Sequence, residues 1–199
     1  MKSWIVIIMG LLVYACKEDK PKVIMPIEKI IIPSILVSKR SQDCKLKNDT
    51  VFLNNKQFEG YVYDLYPNLK DTFSVEGFSN GVLHGITKKW FPNGQLMEER
   101  WYYKGEKNGK QIAYWDNGNK RFEFIAEKDY YQGELKEWTV DGKLFHLGTY
   151  VNGQEEGKQQ LWYDNGKIRA NYVIIKGKRY GLLGTKNCKN VSDSVFIVK

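Results

Sequence analysis

Histidine and cysteine are scarce in this chain of 199 residues, which has two histidines, His84 and His146, and three cysteines. The two histidines occupy unrelated positions in the repeat pattern described below, so we do not expect them to form a pair of metal ligands. The chain also lacks the Gly-x-Ser-x-Gly motif of serine hydrolases and the His-Glu-x-x-His motif of zinc proteases. We therefore expect no catalytic residue, no metal site and no cofactor, and we predict that the protein is not an enzyme.

Proline is also rare, with 5 residues against 18 glycines, which excludes a collagen-like composition. Hydrophobic residues make up 42% of the chain and aromatic residues 14%, so the chain is not a disordered polar sequence. The length predicts one domain, or one domain with a tail.

The first residues resemble an export signal. Residues 1–15 carry a single charge, Lys2, followed by an apolar run from Trp4 to Tyr14. This run is shorter than the roughly 20 residues that a membrane-spanning helix needs, and its composition is typical of a secretory signal peptide. The end of the run, Val13 to Cys16, resembles the lipobox of bacterial lipoproteins. That resemblance implies cleavage after Ala15 and lipidation of Cys16; the alternative is an ordinary signal peptide followed by a chance cysteine.

Lipidation would place the protein in the cell envelope, anchored to a membrane by acyl chains on Cys16. The charged cluster that follows, residues 17–19, resembles the surface-export signals of some lipoproteins, so we expect an outer-membrane location, with the cell surface as one alternative. Residues 16–49 contain three prolines and no clear period, which predicts a tether. Within the tether, the apolar stretch from Lys29 to Val37 is an exception and could form a strand, broken at Pro33, that covers a sheet edge.

Residues 50–199 form the predicted repeat domain. Its pattern is a set of anchor glycines spaced by 24 residues: Gly85, Gly109, Gly133, Gly157 and Gly181. A further anchor, Gly60, lies 25 residues before Gly85. Nine residues after Gly85, Gly109, Gly133 and Gly157, a second glycine follows an Asn or Asp: Gly94, Gly118, Gly142 and Gly166. A fixed period of this length is typical of repeat proteins in which each unit is one supersecondary element.

Each unit is predicted to be a β-hairpin. Asn-Gly or Asp-Gly between apolar segments favours a type I′ turn, in which both central residues have positive φ. We expect both sets of glycines to have structural roles in turns rather than catalytic roles. Residues two and eight positions after the turn differ by an even number and are therefore expected to share one face of the sheet: Leu96, Leu144 and Ile168 with Tyr102, Tyr150 and Ile174.

Aromatic residues mark the first strand of each hairpin in two adjacent columns. One column contains Trp90, Tyr114, Trp138 and Trp162, and the next contains Phe91, Trp115 and Tyr163. Adjacent residues of a strand point to opposite faces, so one column packs the core and the other lies on the opposite face. These residues are either structural, in a twisted sheet that partly buries both columns, or form a candidate binding face.

The motif Gly-x4-Trp-Phe-x-Asn-Gly-x-Leu-x5-Tyr-x2-Gly of residues 85–105 resembles the MORN repeat in its bacterial variant form. The resemblance extends roughly from Phe58 to Gly184, and the terminal copies are degenerate, with Leu69 and Asn190 in place of the turn glycine. The segment Val51 to Gly60 resembles the start of bacterial YwqK-like proteins, a family often named as toxin–antitoxin antitoxins. These resemblances imply an all-β fold, an elongated antiparallel sheet of about six stacked hairpins.

The net charge of +8 falls to +7 when residues 1–15 are removed, since they contain only Lys2. Basic residues interleaved with aromatics can suit single-stranded nucleic acid, but a lipid-anchored envelope protein rarely meets it, so we expect no nucleic-acid partner. The first functional hypothesis is a membrane-anchored binding or structural scaffold for a protein, glycan or lipid. The alternative is an antitoxin or immunity-type protein.

The remaining cysteines are Cys44 and Cys188. Export and an even count favour a disulfide. However, an open stack would separate one cysteine before the first unit from another in the last unit by far more than the roughly 7 Å that a disulfide allows. We expect an open stack with the two cysteines unpaired.

Overall fold

The structure, a computed structural model, describes residues 31–184. All of its regular elements are strands: β1 Leu36–Ser38, β2 Cys44–Lys47, β3 Thr50–Leu53, β4 Lys56–Gln57, β5 Gly60–Leu65, β6 Thr72–Ser79, β7 Val82–Trp90, β8 Leu96–Tyr103, β9 Glu106–Tyr114, β10 Lys120–Glu127, β11 Tyr130–Trp138, β12 Leu144–Val151, β13 Gln154–Trp162, β14 Ile168–Ile175 and β15 Lys178–Leu182. Within this range there is no helix long and apolar enough to cross a membrane.

The strands form one long sheet and one small sheet. The long sheet has twelve strands in the order β1, then β5 to β15 in sequence, and all pairs are antiparallel except the parallel pair of β1 with β5. The predicted all-β fold of stacked hairpins is confirmed. Among the described strands β1 and β15 are the two edges, so the stack is open as expected.

Ordered structure begins before residue 50, within the segment predicted as a tether. Strand β1 covers the edge of β5, which confirms the edge-covering strand for residues 36–38. Strands β2, β3 and β4 form the small sheet, which packs on the first hairpin through a cluster of buried side chains: Val51, Phe58, Val62 and Phe78. A repeat stack needs such a cap, because its first unit has no preceding neighbour to bury its apolar side chains.

The turns at the two ends of the hairpins differ, and the type I′ prediction for the Asn-Gly and Asp-Gly turns is wrong. Gly94 has φ +80°, but Asn93 is not among the residues with positive φ. The Gly94 N–H donates to the Phe91 carbonyl oxygen at 2.9 Å, and the Phe91 N–H donates to the Gln95 carbonyl oxygen at 2.8 Å. This is a type I turn followed by a glycine in the left-handed region, the geometry of a three-residue hairpin loop.

Two-residue turns with positive φ at both positions lie at the opposite end of the hairpins. They are Asn80-Gly81, Lys104-Gly105, Lys128-Asp129, Asn152-Gly153 and Lys176-Gly177. The first unit explains the irregular spacing of 25 residues: its loop runs from Tyr66 to Asp71, one residue longer than the loop from Phe91 to Gln95, and Leu69 adopts φ +57°.

The anchor glycines lie inside strands rather than in turns. Gly85, for example, has φ +71° in the interior of β7, where the pairing with β6 shifts register between Thr87 and Leu83. Corresponding register shifts surround Gly109 and Gly157. These glycines therefore occupy β-bulges, where a positive φ suits glycine better than any residue with a side chain.

The prediction that residues two and eight positions after the turn share one face is wrong, because a second set of bulges interrupts the alternation of side chains along these strands. Each of these bulges inserts one extra residue just after the turn, for example Arg169 between Ile168, opposite Trp162, and Ala170, opposite Leu161. As a result Ile168 is 51% exposed, whereas Ile174 on the same strand is 4% exposed. The two positions lie on opposite faces of the sheet, and the same holds for Leu96 with Tyr102 and Leu144 with Tyr150.

Candidate functional site

The two faces of the long sheet differ in burial. We call one the inner face; it carries a column of buried side chains two residues after the anchor glycines: Val62, Thr87, Gln111, Leu135 and Gln159. The opposite face is the outer face. From β8 to β14 each strand packs mainly on the strands before and after it, so most other side chains on both faces are only half-buried.

The structure places the predicted aromatic columns on different sides of the sheet. Trp90, Tyr114, Trp138 and Trp162 end their strands on the outer face and are half-buried. Phe91, Trp115 and Tyr163 are each the first residue of a turn, and Phe91 and Trp115 line a cavity together with inner-face side chains and with Tyr114 of the first column. The candidate binding residues therefore do not form one continuous strip.

Two aromatic residues join successive units: Trp115 of the second column and Tyr66, which holds the same position in the first unit. The Tyr66 hydroxyl donates to the Trp90 carbonyl oxygen at 2.7 Å, and Trp115 Nε1 donates to the Trp138 carbonyl oxygen at 3.0 Å. Each side chain thus reaches the end of the next hairpin's first strand. For Tyr66 and Trp115 the contacts favour a structural role, because a half-buried polar tip is satisfied by the neighbouring unit.

A different row of aromatic rings crosses the inner face, and the sequence analysis missed most of it. Phe122 and Phe124 have ring centroids 5.7 Å apart, Phe124 and Tyr131 4.6 Å, and Tyr131 and Tyr150 5.3 Å. The available signal was the alternation of Phe122 and Phe124 on one strand, but the pairing of that strand with β11 was needed to bring in Tyr131. Arginines contact both ends of this region, Arg100 over the Phe122 ring at 4.7 Å and Arg179 over the Tyr172 ring at 5.4 Å.

On the inner face Glu98 is paired and partly desolvated, and Tyr150 is partly desolvated. Burial raises the pKa of the Glu98 carboxyl group, but hydrogen bonds and charges from Lys89 and Arg100 outweigh burial and hold the pKa below its usual value. Glu98 accepts from Lys89 Nζ at 2.9 Å and from Arg100 Nη2 at 3.1 Å. Burial, followed by the charges of Glu155 and Glu137, raises the pKa of Tyr150 to about 12.

The cavity mentioned above has a volume of about 680 Å³ and opens on the inner face between two successive hairpins. Ala113 forms part of its floor, and Phe91, Trp115 and Phe122 contribute aromatic walls. Arg100 and Arg121 supply its positive charge, and Glu98 and Asp116 supply its negative charge. Its size lies within the range of small-molecule sites, roughly 300–1,000 Å³.

The two histidines are separated and have different partners. His84 is buried, and its Nδ1 accepts from the Lys104 N–H at 3.3 Å. Burial, followed by the charge of Lys104, lowers the pKa of His84. His146 lies with Nδ1 2.8 Å from Glu137 Oε2. Among residues 31–184 no group of three or more His, Cys, Asp or Glu side chains is placed to hold a metal ion.

Two predicted positions lie outside the described residues: the lipidation site Cys16 and the cysteine Cys188. Cys44 is in β2 and forms no disulfide with any described residue. Burial raises the pKa of its thiol, partly opposed by the charge of Lys39.

Two segments of the chain, residues 83–104 and 155–172, match the family model described as MORN repeat variant. The chain contains MORN repeat variants. No curated protein matches the chain significantly. The first MORN-variant segment runs through β7, its turn and β8, and the second covers most of β13, its turn and much of β14. Ala113, Trp115 and Arg121 of the cavity lie between these two segments, in a unit that repeats the same hairpin.

Proposed function

We propose that the protein is a non-catalytic binding scaffold of a bacterial cell envelope, anchored to a membrane through lipidated Cys16 and presenting the inner face of its repeat sheet to a partner. The observation that carries this proposal is the cavity on the inner face, at which two adjacent hairpins of the repeat sheet jointly expose aromatic and charged side chains to solvent. A concave site with apolar walls and a few polar groups is the usual form of a ligand-binding site.

The repeat architecture supports a scaffold rather than a catalytic centre. The hairpins form a stack in which each unit pairs with its neighbours, which is how repeat proteins build extended binding surfaces. In the cavity, Glu98 has a lowered pKa and is held by two cations, so it is a poor general base at neutral pH.

The envelope location rests on the sequence of residues 1–16. An apolar run of this length, ending in Ala15-Cys16, is typical of an exported lipoprotein. Export also favours a scaffold over an antitoxin of the YwqK-like type, because a cytosolic toxin would not meet a protein anchored outside the cytoplasm. The tether between Cys16 and β1 would give the repeat domain reach from the membrane surface.

The anchor is tested by metabolic labelling with a fatty-acid analogue, followed by membrane fractionation. The wild-type chain should carry the label and sediment with membranes, whereas Cys16→Ser should carry none and should be released. Cys44→Ser is the matched control and should be labelled like the wild type. Equal labelling of the wild type and Cys16→Ser would overturn the lipoprotein assignment.

A further inference from the structure

The cavity between the hairpins is lined in part by Ala113, a small residue at a repeat position that carries larger residues in the other units. The position four residues after the anchor glycine is occupied by Lys89, Ala113, Glu137 and Leu161 in successive units. Ala113 pairs with Glu98 on one side and Phe122 on the other. In its unit Leu161 pairs with the small Ala170 and packs against it, whereas Ala113 pairs with the large Phe122.

Arg121 enters this cavity through a bulge. It is the extra residue between the pairs Lys120–Tyr114 and Phe122–Ala113. Its guanidinium lies 4.8 Å from the centre of the Trp115 ring. A guanidinium stacked on an aromatic ring keeps its N–H donors free at the edge and loses less conformational entropy when it binds an acceptor.

Some charged groups in the cavity are already paired with one another, and others are not. Glu98 and Arg100 hydrogen-bond to each other, and Glu98 also pairs with Lys89. By contrast, no acceptor engages the guanidinium of Arg121 anywhere in residues 31–184. The carboxylate of Asp116, which also lines the cavity, has no hydrogen-bond donor within the same range. Arg121 and Asp116 are both solvent-exposed, so they offer a planar set of donors and a carboxylate acceptor to a ligand in the cavity.

One unpaired guanidinium and one unpaired carboxylate beside aromatic rings favour some classes of ligand over others. A carboxylate matches the fork geometry of a guanidinium and carries one negative charge. A phosphate dianion would bring about twice that charge into a cavity that has one unengaged cation and two carboxylates of its own. A nucleic-acid strand would need several unpaired cations along a groove. Hydroxyl groups would satisfy Asp116, and the C–H face of a sugar ring would cover the apolar walls.

We propose that this cavity binds an acidic saccharide, with the sugar carboxylate on Arg121, a hydroxyl group donating to Asp116 and the ring against Phe91 and Phe122. The inference rests on the proposed scaffold function and names the chemistry of its partner, a uronic-acid residue of a glycan.

Isothermal titration calorimetry of the full-length chain, purified in detergent, tests the inference with oligogalacturonate as the probe. Galactose oligomers of the same length and inorganic phosphate are the reference ligands. Oligogalacturonate should bind, and each reference ligand should bind at least tenfold more weakly, because loss of a charge-assisted pair costs at least this factor. Absence of oligogalacturonate binding, or equal binding of the neutral oligomer or of phosphate, would overturn the proposal.

Three variants locate the site. Arg121→Gln should weaken oligogalacturonate binding at least tenfold, and Ala113→Leu, which introduces the residue that Leu161 already supplies in another unit, should abolish it. Arg169→Gln is the matched control, because Arg169 occupies the same bulge position two units later; it should bind within twofold of the wild type. Equal losses in Arg121→Gln and Arg169→Gln would show nonspecific attraction to basic residues and refute the site. Thermal melting of each variant confirms folding, and the Cys16→Ser labelling experiment is independent of these outcomes.

Discussion

The side-chain amide of Gln111 donates a hydrogen bond from Nε2 to the backbone carbonyl oxygen of Trp101 at 2.8 Å. Trp101 lies at the register shift between β8 and β9, where the regular ladder is interrupted. Gln159 repeats the arrangement two units later, donating to the carbonyl oxygen of Thr149 at 2.7 Å. Both glutamines are 0% exposed, so a side chain from the inner face replaces the backbone donor that the bulge removes.

Gln111→Glu should destabilise the fold by about 3 kcal/mol or more at neutral pH, because a buried carboxylate would face a carbonyl oxygen without a donor. Burial should raise the pKa of the new carboxyl group above its unfolded value of roughly 4.3. The loss of stability relative to the wild type should therefore be smallest below about pH 4.3. It should grow as the pH rises through the raised pKa of the folded state. Urea denaturation at pH 4 and pH 7 measures the difference.

Gln160→Glu is the control for this prediction. Gln160 is the next residue along the strand, is only half-buried and bonds to Asn171 at 3.1 Å on the outer face. It should change stability by less than about 1 kcal/mol. If Gln111→Glu were no less stable than Gln160→Glu at pH 7, the carbonyl-capping role of Gln111 would be wrong.

Gly166→Val should lower the thermal stability of the repeat domain. Gly166 has φ +79°, and a β-branched residue forced into this region costs about 1–3 kcal/mol. No atom lies within 4 Å of the position a Cβ would take, so the cost comes from the backbone alone. Gly166→Asn should lose less, since Asn tolerates the left-handed region. Calorimetric melting curves that coincide for Gly166→Val and the wild type would rule out the turn geometry assigned here.

Alkaline pH should destabilise the wild type more than Tyr150→Phe. The pKa of Tyr150 is raised to about 12, so the folded state favours the neutral phenol. The contribution of the neutral Tyr150 phenol to the free energy of unfolding is fully present below the unfolded pKa of about 10. It is lost as the pH rises from about 10 through about 12. Unfolding by urea across this window should show a shallower loss for Tyr150→Phe. Tyr180→Phe, at a tyrosine that is 55% exposed, should retain the wild-type slope, and identical slopes for all three proteins would refute the coupling.

Cys44 and Cys188 should remain unpaired in the full chain under oxidising conditions. Cys44 lies in the cap at the first end of an open stack, and Cys188 follows β15 by six residues. Non-reducing mass spectrometry of the full chain should find both thiols available for alkylation after unfolding. A linked peptide containing both cysteines within a monomer would require the chain to run back along the sheet.

The glycine period was sufficient to predict the hairpins, because positions such as Gly94 and Gly118 tie the sequence to turns of fixed length. It was not sufficient to distinguish the two kinds of turn. An Asn-Gly pair suits both a type I′ turn and a type I turn followed by a left-handed glycine, and the choice depends on how many loop residues leave the ladder. Pro92, whose fixed φ suits the first central position of a type I turn, was the overlooked signal.

The candidate site could not be predicted, because two bulges per hairpin change which residues share a face. Period-two counting placed Ile168 and Ile174 together, and the extra residue Arg169 separates them. The same type of bulge in β10 brings Arg121 beside Trp115, the first residue of the turn between β9 and β10. Ala113 is unremarkable in sequence and matters only because its neighbours on both sides are large.

Site-specific photo-crosslinking in intact cells tests most directly whether the protein binds a partner through the inner face. A crosslinking residue at Pro92, which lines the cavity, is compared with one at Val140, the corresponding turn position two units later. The account predicts a discrete adduct from Pro92 that disappears in the Ala113→Leu background, and none from Val140. No adduct from Pro92, equal adducts from both positions, or a Pro92 adduct that survives Ala113→Leu would contradict it.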